Sequence, residues 1–211
     1  MIRTLTSSAV LALSLLSAAS LVNAQPWVAG EHYRVLDNPV RTASDNGVEV
    51  AEVFWYGCPH CYNFKPLAEA WEAEAPDYIN YVKLPAALGR SWEPHAYAFY
   101  ALEAMGELDK VHDALFDALA GERRPLNTPE ALADFVAGYG VNAEKFLENY
   151  NSFGVRARVQ QAQAKIERLN ISADGQIAGS SPLDAEGRQA PSDQAAYQFN
   201  IRTSHDQHYF Q

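Results

Sequence analysis

The stretch Val48 to Tyr56 (VEVAEVFWY) is apolar at every position except Glu49 and Glu52 and rich in β-branched and aromatic residues, the pattern of a strand buried on both faces. Gly57 follows, then Cys58-Pro59-His60-Cys61, and the next apolar residues Phe64, Leu67, Ala68 and Trp71 recur at helical spacing. A helix is therefore predicted to open at the cysteines. Pro59 suits its first turn, where a missing N–H has no partner to lose, whereas Pro66 in its interior is predicted to kink it. Tyr78 to Leu84 (YINYVKL) reads as a second core strand. Strand, helix, strand in this order predicts a right-handed βαβ unit with Val48 to Tyr56 as the central strand. A short alternating stretch from His32 to Leu36 predicts an edge strand, ended by Asn38-Pro39.

From Glu93 to about Leu169 the pattern is helical only, with helices predicted over Pro94 to Met105, Leu108 to Leu119, Pro129 to Tyr139, Ala143 to Tyr150 and Val155 to Leu169. Thr128-Pro129 supplies an N-cap hydroxyl with proline at the next position, Asn142 can cap the following helix, and Gly106, Gly121 and Gly140 sit where helices should stop. The block is inserted into or appended to the βαβ unit. Its apolar stripes, such as Val111, Leu115 and Leu119, are expected to be core.

Residues 1–24 read as a signal peptide: Arg3 in the n-region, Ala9 to Leu16 as the apolar stretch, and Val22-Asn23-Ala24 before a cleavage site at Gln25. The competing reading, a membrane anchor, needs about 20 predominantly apolar residues, and Ser7, Ser8, Ser14, Ser17 and Ser20 interrupt this run. Export places the only two cysteines of the 211-residue chain where disulfides form and persist. With 16 Lys and Arg against 26 Asp and Glu, a formal charge of -10, the chain has no positive field to attract a nucleic acid or an anionic membrane.

At a helix start the first sulfur of C-x-x-C lies beside unpaired N–H groups and the positive end of the helix dipole, both of which favour thiolate over thiol. Cys58 is thus expected to have a depressed pKa and to be both the attacking and the better leaving sulfur, with Cys61 as the resolving thiol. His60, between them, can donate to the Cys58 sulfur or add positive charge; a bystander role is the alternative. A structural clip or half of a metal site remain alternatives for the pair, although two cysteines cannot supply the four ligands of a structural zinc site. Glu52 has two open readings: a strand-edge carboxylate in water, or a buried proton carrier beneath Cys61. His32, His95, His112, His205 and His208 show no metal-ligand spacing on a recognisable scaffold.

The run Phe54-Trp55-Tyr56-Gly57-Cys58-Pro59-His60-Cys61-Tyr62-Asn63-Phe64 resembles the DsbA family of periplasmic thiol:disulfide oxidoreductases, and the likeness extends from about Glu31 to about Leu169. It implies an α/β, thioredoxin-like fold with an inserted all-helical domain: residues 25–92 in the thioredoxin-like part, 93–152 in the insertion and 153–170 as a return helix. It also implies Cys58 as the exposed nucleophile, Cys61 as the buried resolving cysteine, Pro59 and His60 as tuners of the redox potential, and Glu52 at the family's buried acidic position. No cofactor or metal is called for. The implied partners are reduced, newly exported proteins and a DsbB-like, quinone-linked reoxidant of the inner membrane of a Gram-negative cell; the chain is expected to be a monomer.

Beyond Asn170 the chain departs from that family. Residues 171–211 contain no valine and no alternating apolar run long enough to predict a strand. The expected β-hairpin and final helix read as missing or replaced, as in a frameshifted C-terminus, and neither Pro182 nor Pro191 has the flanks of a cis-proline loop. A weakly structured tail is predicted, exposing an unpaired sheet edge. The function that follows is oxidative disulfide donation. The alternatives are a non-catalytic peptide-binding or chaperone-like protein crippled by that tail, and a reductase or isomerase of the same fold.

Overall fold

The computed structural model describes residues 34–36, 40–42, 47–169, 176–181 and 195–199. The leader segment 1–24 therefore lies outside the described residues, as do Pro182, Pro191, His205, His208 and the stretch where a final helix was expected. In chain order the elements are β1 (Arg34–Val35), β2 (Val48–Phe54), α1 (Pro59–Glu74), β3 (Ile79–Pro85), α2 (Glu93–Met105), α3 (Leu108–Phe116), a π-helical turn (Asp117–Gly121), α4 (Pro129–Ala137), α5 (Ala143–Tyr150), α6 (Phe153–Arg168), β4 (Gln176–Ser181) and β5 (Ala195–Phe199).

The predicted strand-helix-strand unit forms. β2 pairs in parallel with β3, with Val48 opposite Ile79 and Phe54 opposite Pro85, and α1 carries the chain between them. The entry to β2 is tight. Gly47 has φ +91°, and a Cβ there would fall 2.3 Å from the Tyr78 carbonyl oxygen, the same oxygen that accepts the Val48 N–H at 2.8 Å. Only glycine takes this conformation without strain, so the residue fixes where the β2–β3 ladder begins. Helix α1 opens at Pro59 and continues through Pro66 to Glu74; the interior proline removes one ladder hydrogen bond without ending the helix.

The helical block follows its caps. Thr128 Oγ1 accepts the Ala131 N–H, Asn142 Oδ1 accepts the Lys145 N–H, and Ser152 Oγ accepts the Val155 N–H, each satisfying an orphan amide of a first turn. The third helix ends sooner than predicted. Its last turn passes into the π-helical turn Asp117–Gly121, where the extra residue per turn keeps Ala118, Leu119 and Ala120 buried. Val111, Leu115, Leu132, Phe146, Val155 and Ile166 join Ala51, Val53, Phe54 and Leu84 in one continuous core. The Lys165–Glu49 ion pair fastens α6 to β2. Among the described residues no helix is long and apolar enough to cross a membrane.

The tail contradicts the sequence reading. The five-stranded sheet has the order β1-β5-β4-β2-β3. β4 pairs antiparallel with β2, Ala178 opposite Ala51, and β5 pairs antiparallel with β4, Tyr197 opposite Gly179. The expected missing hairpin is present, and the edge of β2 expected to be bare is covered. The reason for the difference is physical. QIAGSS has neither alternation nor β-branched enrichment beyond one isoleucine, but a strand inserted between two others is held by backbone hydrogen bonds on both sides, and β propensity yields to that context.

A proline at position 178 tests this pairing. Ala178→Pro removes an N–H from a strand with neighbours on both sides and should cost at least about 1–3 kcal/mol, seen as a lower melting temperature; an unchanged melting temperature would mean that β4 contributes no pairing.

Candidate functional site

The site forms where β2 runs into α1. Phe54 ends the strand, Trp55 follows it, Tyr56 and Gly57 make the turn, and Cys58 is the N-cap residue of α1 in extended conformation (φ -87°, ψ 116°). The Cys58 N–H donates to the Trp55 carbonyl at 3.0 Å, and the Cys58 carbonyl accepts the Tyr62 N–H at 3.0 Å, the first intrahelical bond. The sulfur of the N-cap residue is thereby left facing the orphan amides of the first turn.

Both cysteines are free thiols. The Cys58 thiol is lowered to about 6, first by the hydrogen bond from the Cys61 thiol, then by the backbone N–H groups of Cys61 and His60 and by the charge of the His60 imidazole, all acting against burial. The Cys61 thiol is pushed up, first by that same bond to Cys58, then by burial, with the charges of Cys58 and Glu52 adding to it; the Trp55 backbone N–H opposes the rise. Near neutral pH one sulfur is an anion and the other a thiol that donates to it.

The expected contrast between an exposed and a buried cysteine is corrected. Cys58 is 8% exposed and Cys61 6%, because the Cys58 sulfur turns onto the Cys61 thiol and the amides of the first turn. Pro59 and His60, by contrast, are exposed. What distinguishes the two sulfurs is the direction of their hydrogen bonding, not their access to solvent.

Glu52 is 7% exposed, so its reading as an edge carboxylate in water fails: β2 is an inner strand with β3 on one side and β4 on the other. Tyr81 Oη donates to Glu52 Oε2 at 2.8 Å. Burial raises the carboxyl above its usual range, while the Tyr81 bond and the charge of Lys83 pull it down and Glu69 and Glu72 add to the rise. Lys83 itself pairs with Glu72 at 2.9 Å and lies 5.0 Å from the Tyr81 ring centroid. A carboxyl raised in this way holds its proton more readily than a solvated one and can pass it to a neighbouring group.

Several residues around the cysteines were given no role by the sequence reading. Trp55 Nε1 donates to His95 Nδ1 at 2.8 Å, and His95 Nε2 bonds the Leu126 carbonyl at 3.0 Å. The Trp55 ring also stacks on Trp92, with centroids 4.5 Å apart and planes 2° apart. Tyr56 Oη and His112 Nδ1 lie 2.6 Å apart in the core, and burial holds the His112 imidazole down to about 4 and the Tyr56 phenol well above its usual value, so both are neutral. Tyr62 Oη donates to Asp117 Oδ1 at 2.9 Å, in the π-helical turn. The available signal was periodicity: His112 shares a helical face with Val111, Leu115 and Phe116, which marks a buried imidazole in need of a partner. Among the described residues no group of His, Cys, Asp and Glu could hold a metal ion.

Comparison with known proteins agrees with this geometry. Residues 49–172 match the model of the DSBA-like thioredoxin domain. The chain is 42% identical over 161 residues to the thiol:disulfide interchange protein DsbA of Pseudomonas aeruginosa, covering 76% of each chain, and 41% identical over 143 residues to that of Azotobacter vinelandii, covering 68% of this chain and 67% of the relative. The crystal structure of Pseudomonas aeruginosa DsbA superposes with a TM-score of 0.72 at 37% identity, over 84% of this chain and 85% of that one. The chain therefore belongs to the family of the DSBA-like thioredoxin domain.

Proposed function

We propose that this protein is a thiol:disulfide oxidoreductase of the periplasm that donates its Cys58–Cys61 disulfide to reduced, newly exported proteins. The observation that carries the reading is the division of labour between the sulfurs: Cys58 is acidified to about 6, while Cys61 is driven the other way. The names of the relatives, thiol:disulfide interchange proteins, support the same chemistry. On this reading the thioredoxin-like part spans residues 25–92, the helical insertion 93–152 and the return helix 153–170, and the leader 1–24 directs export.

The reaction begins from the oxidised form. A substrate thiolate attacks Cys58 Sγ, the Cys58–Cys61 bond breaks, and the electron pair leaves on Cys61. Cys61 is the poorer thiolate of the two and takes up a proton, for which the Glu52 carboxyl, with its raised pKa and its hydrogen bond from Tyr81, is the proposed carrier. A second substrate thiolate then attacks the substrate sulfur of the mixed disulfide and expels Cys58. Because a thiol of low pKa is a good leaving group, this second step runs toward release of oxidised substrate. Substrate loses two electrons and two protons in all. The enzyme gains the two electrons and holds one proton on Cys61; the other goes to solvent, Cys58 remaining a thiolate. A DsbB-like partner of the inner membrane then removes the two electrons, no metal or organic cofactor takes part, and the protein works as a monomer.

His60 and Pro59 are the proposed tuners of this site, with His60 acting twice. Its backbone N–H and its imidazole both lower the Cys58 thiol, and the backbone contribution is the larger. The Cys61 thiol outweighs either.

Two experiments test these assignments. The mature chain with a preformed disulfide should oxidise a reduced, unfolded test protein with stoichiometric loss of that protein's thiols, and Cys58→Ser should abolish the reaction without unfolding the chain; retained oxidation in the variant would remove Cys58 from the mechanism. In the second, thiolate absorbance is titrated for two variants at position 60. His60→Ala, which loses the imidazole alone, should raise the Cys58 midpoint less than His60→Pro, which also loses the N–H. Equal midpoints in wild type and both variants would leave His60 without a role.

A further inference from the structure

Gly57 and Cys58 are held by more than the helix start. A Cβ on Gly57 would fall 2.4 to 2.8 Å from three ring atoms of the Trp55 indole, so the indole lies flat against the turn that delivers Cys58 into α1. The backbone of the same residue touches both cysteines: the Trp55 carbonyl accepts the Cys58 N–H, and its N–H bonds the Cys61 sulfur. Any rotation of Trp55 would therefore disturb the turn from its side chain and from its main chain together. Stacking on Trp92 fixes the plane of the indole but leaves it free to slide or turn within that plane.

His95 removes that freedom. It stands on α2, buried, with both ring nitrogens engaged: Nδ1 accepts from Trp55 Nε1 at 2.8 Å, so Nε2 carries the hydrogen and donates to the Leu126 carbonyl at 3.0 Å. This arrangement requires the neutral ring, and burial keeps the imidazole below its usual range. Leu126 belongs to the segment that follows the π-helical turn, so the two bonds run from the helical block, through one imidazole, to the indole over the active-site turn.

We propose that His95 is a positioning residue for Cys58, acting from the helical block through the Trp55 indole to hold the Gly57–Cys58 turn in register with the first amides of α1. The inference rests on the reading of Cys58 as the nucleophile. It assigns to a helix outside the thioredoxin-like part a share in setting the reactivity of the sulfur pair.

The test is a double-mutant cycle in the full mature chain, read by the Cys58 thiolate titration and by the glutathione equilibrium constant of the Cys58–Cys61 pair, with thermal melts to verify folding. Wild type with a low Cys58 midpoint is the reference; an ordinary thiol midpoint in wild type would sink the functional reading itself and not only this inference. His95→Leu, which loses both bonds, should raise the Cys58 midpoint by about half a pH unit or more, about threefold in thiolate fraction, and shift the glutathione equilibrium toward the disulfide. Trp55→Phe, which loses the donor together with the indole atoms lying against Gly57, should give a shift of the same sign; if His95→Leu does not fold, an unshifted midpoint in Trp55→Phe overturns the proposal. His95→Asn, with an amide oxygen near the place of Nδ1, should recover most of the wild-type midpoint. The double variant should shift no further than the larger single one. Wild-type midpoints in a folded His95→Leu or in Trp55→Phe, or fully additive shifts in the double variant, would overturn the proposal.

Discussion

The hydrogen bond from the Cys61 thiol to the Cys58 sulfur is the interaction on which the chemistry of this protein turns, and it exists only because the chain changes from strand to helix between Tyr56 and Pro59. Three positions apart at a helix start, the sulfurs meet within one turn, and the orphan amides of that turn face the first of them. The bond lowers one thiol and raises the other in the same act. A sulfur stabilised as thiolate makes the reduced state favourable and the disulfide a ready oxidant. The helix supplies the asymmetry, and the remaining structure keeps the helix start in place.

Three hydrogen bonds between side chains show how it is kept. Trp55 reaches His95 on α2, Tyr56 reaches His112 on α3, and Tyr62 reaches Asp117 in the π-helical turn. The residues on the near side flank the C-P-H-C sequence at its two ends; those on the far side all belong to the helical block. Phe54 extends the contact, packing edge-on against Tyr56, Phe99 and His112. The block is therefore continuous with the core beneath the cysteines, and its two buried histidines are there as neutral hydrogen-bonding partners of aromatic residues. Two residues before Phe54 on the same strand, Glu52 with Tyr81, Lys83 and Glu72 forms a polar chain toward α1.

Much of this was legible in the sequence for reasons that can be named. Val48 to Tyr56 is apolar almost throughout, as a strand paired on both sides requires, and the cap residues Thr128 and Asn142 marked helix starts to the residue; Tyr78 to Leu84 was read as a core strand, but β3 stands at the sheet edge and is only half-buried before Leu84 and Pro85. The cysteine pair declared itself through its spacing and its setting. What remained hidden depends on tertiary contact. The bonds of His95 and His112 join residues 40 and 56 positions apart, and no local pattern encodes them. The burial of Glu52 followed only once β4 was found on the far side of β2. That strand was missed because QIAGSS has no alternation to read; its place comes from the backbone of its neighbours. The exposure expected of Cys58 failed because a thiolate held by a neighbouring thiol and by backbone amides is drawn inward.

The acidity of Cys58 has a consequence for equilibrium that belongs to this account and to no structural role for the pair. Its thiol is lowered from an ordinary 9.0 to about 6, so the stabilisation of the reduced folded form is fully present above about pH 9 and is lost as the pH falls through about 6. The most direct measurement is the thiol-disulfide equilibrium of residues 25–211 against glutathione as a function of pH, followed by mass and by tryptophan fluorescence. The account predicts a disulfide that is easily reduced, with the equilibrium moving toward the reduced protein by about tenfold per pH unit between about 6 and 9 and flat below that window. A cooperatively folded protein whose disulfide resists reduction, or whose equilibrium does not move with pH across the window, would contradict it.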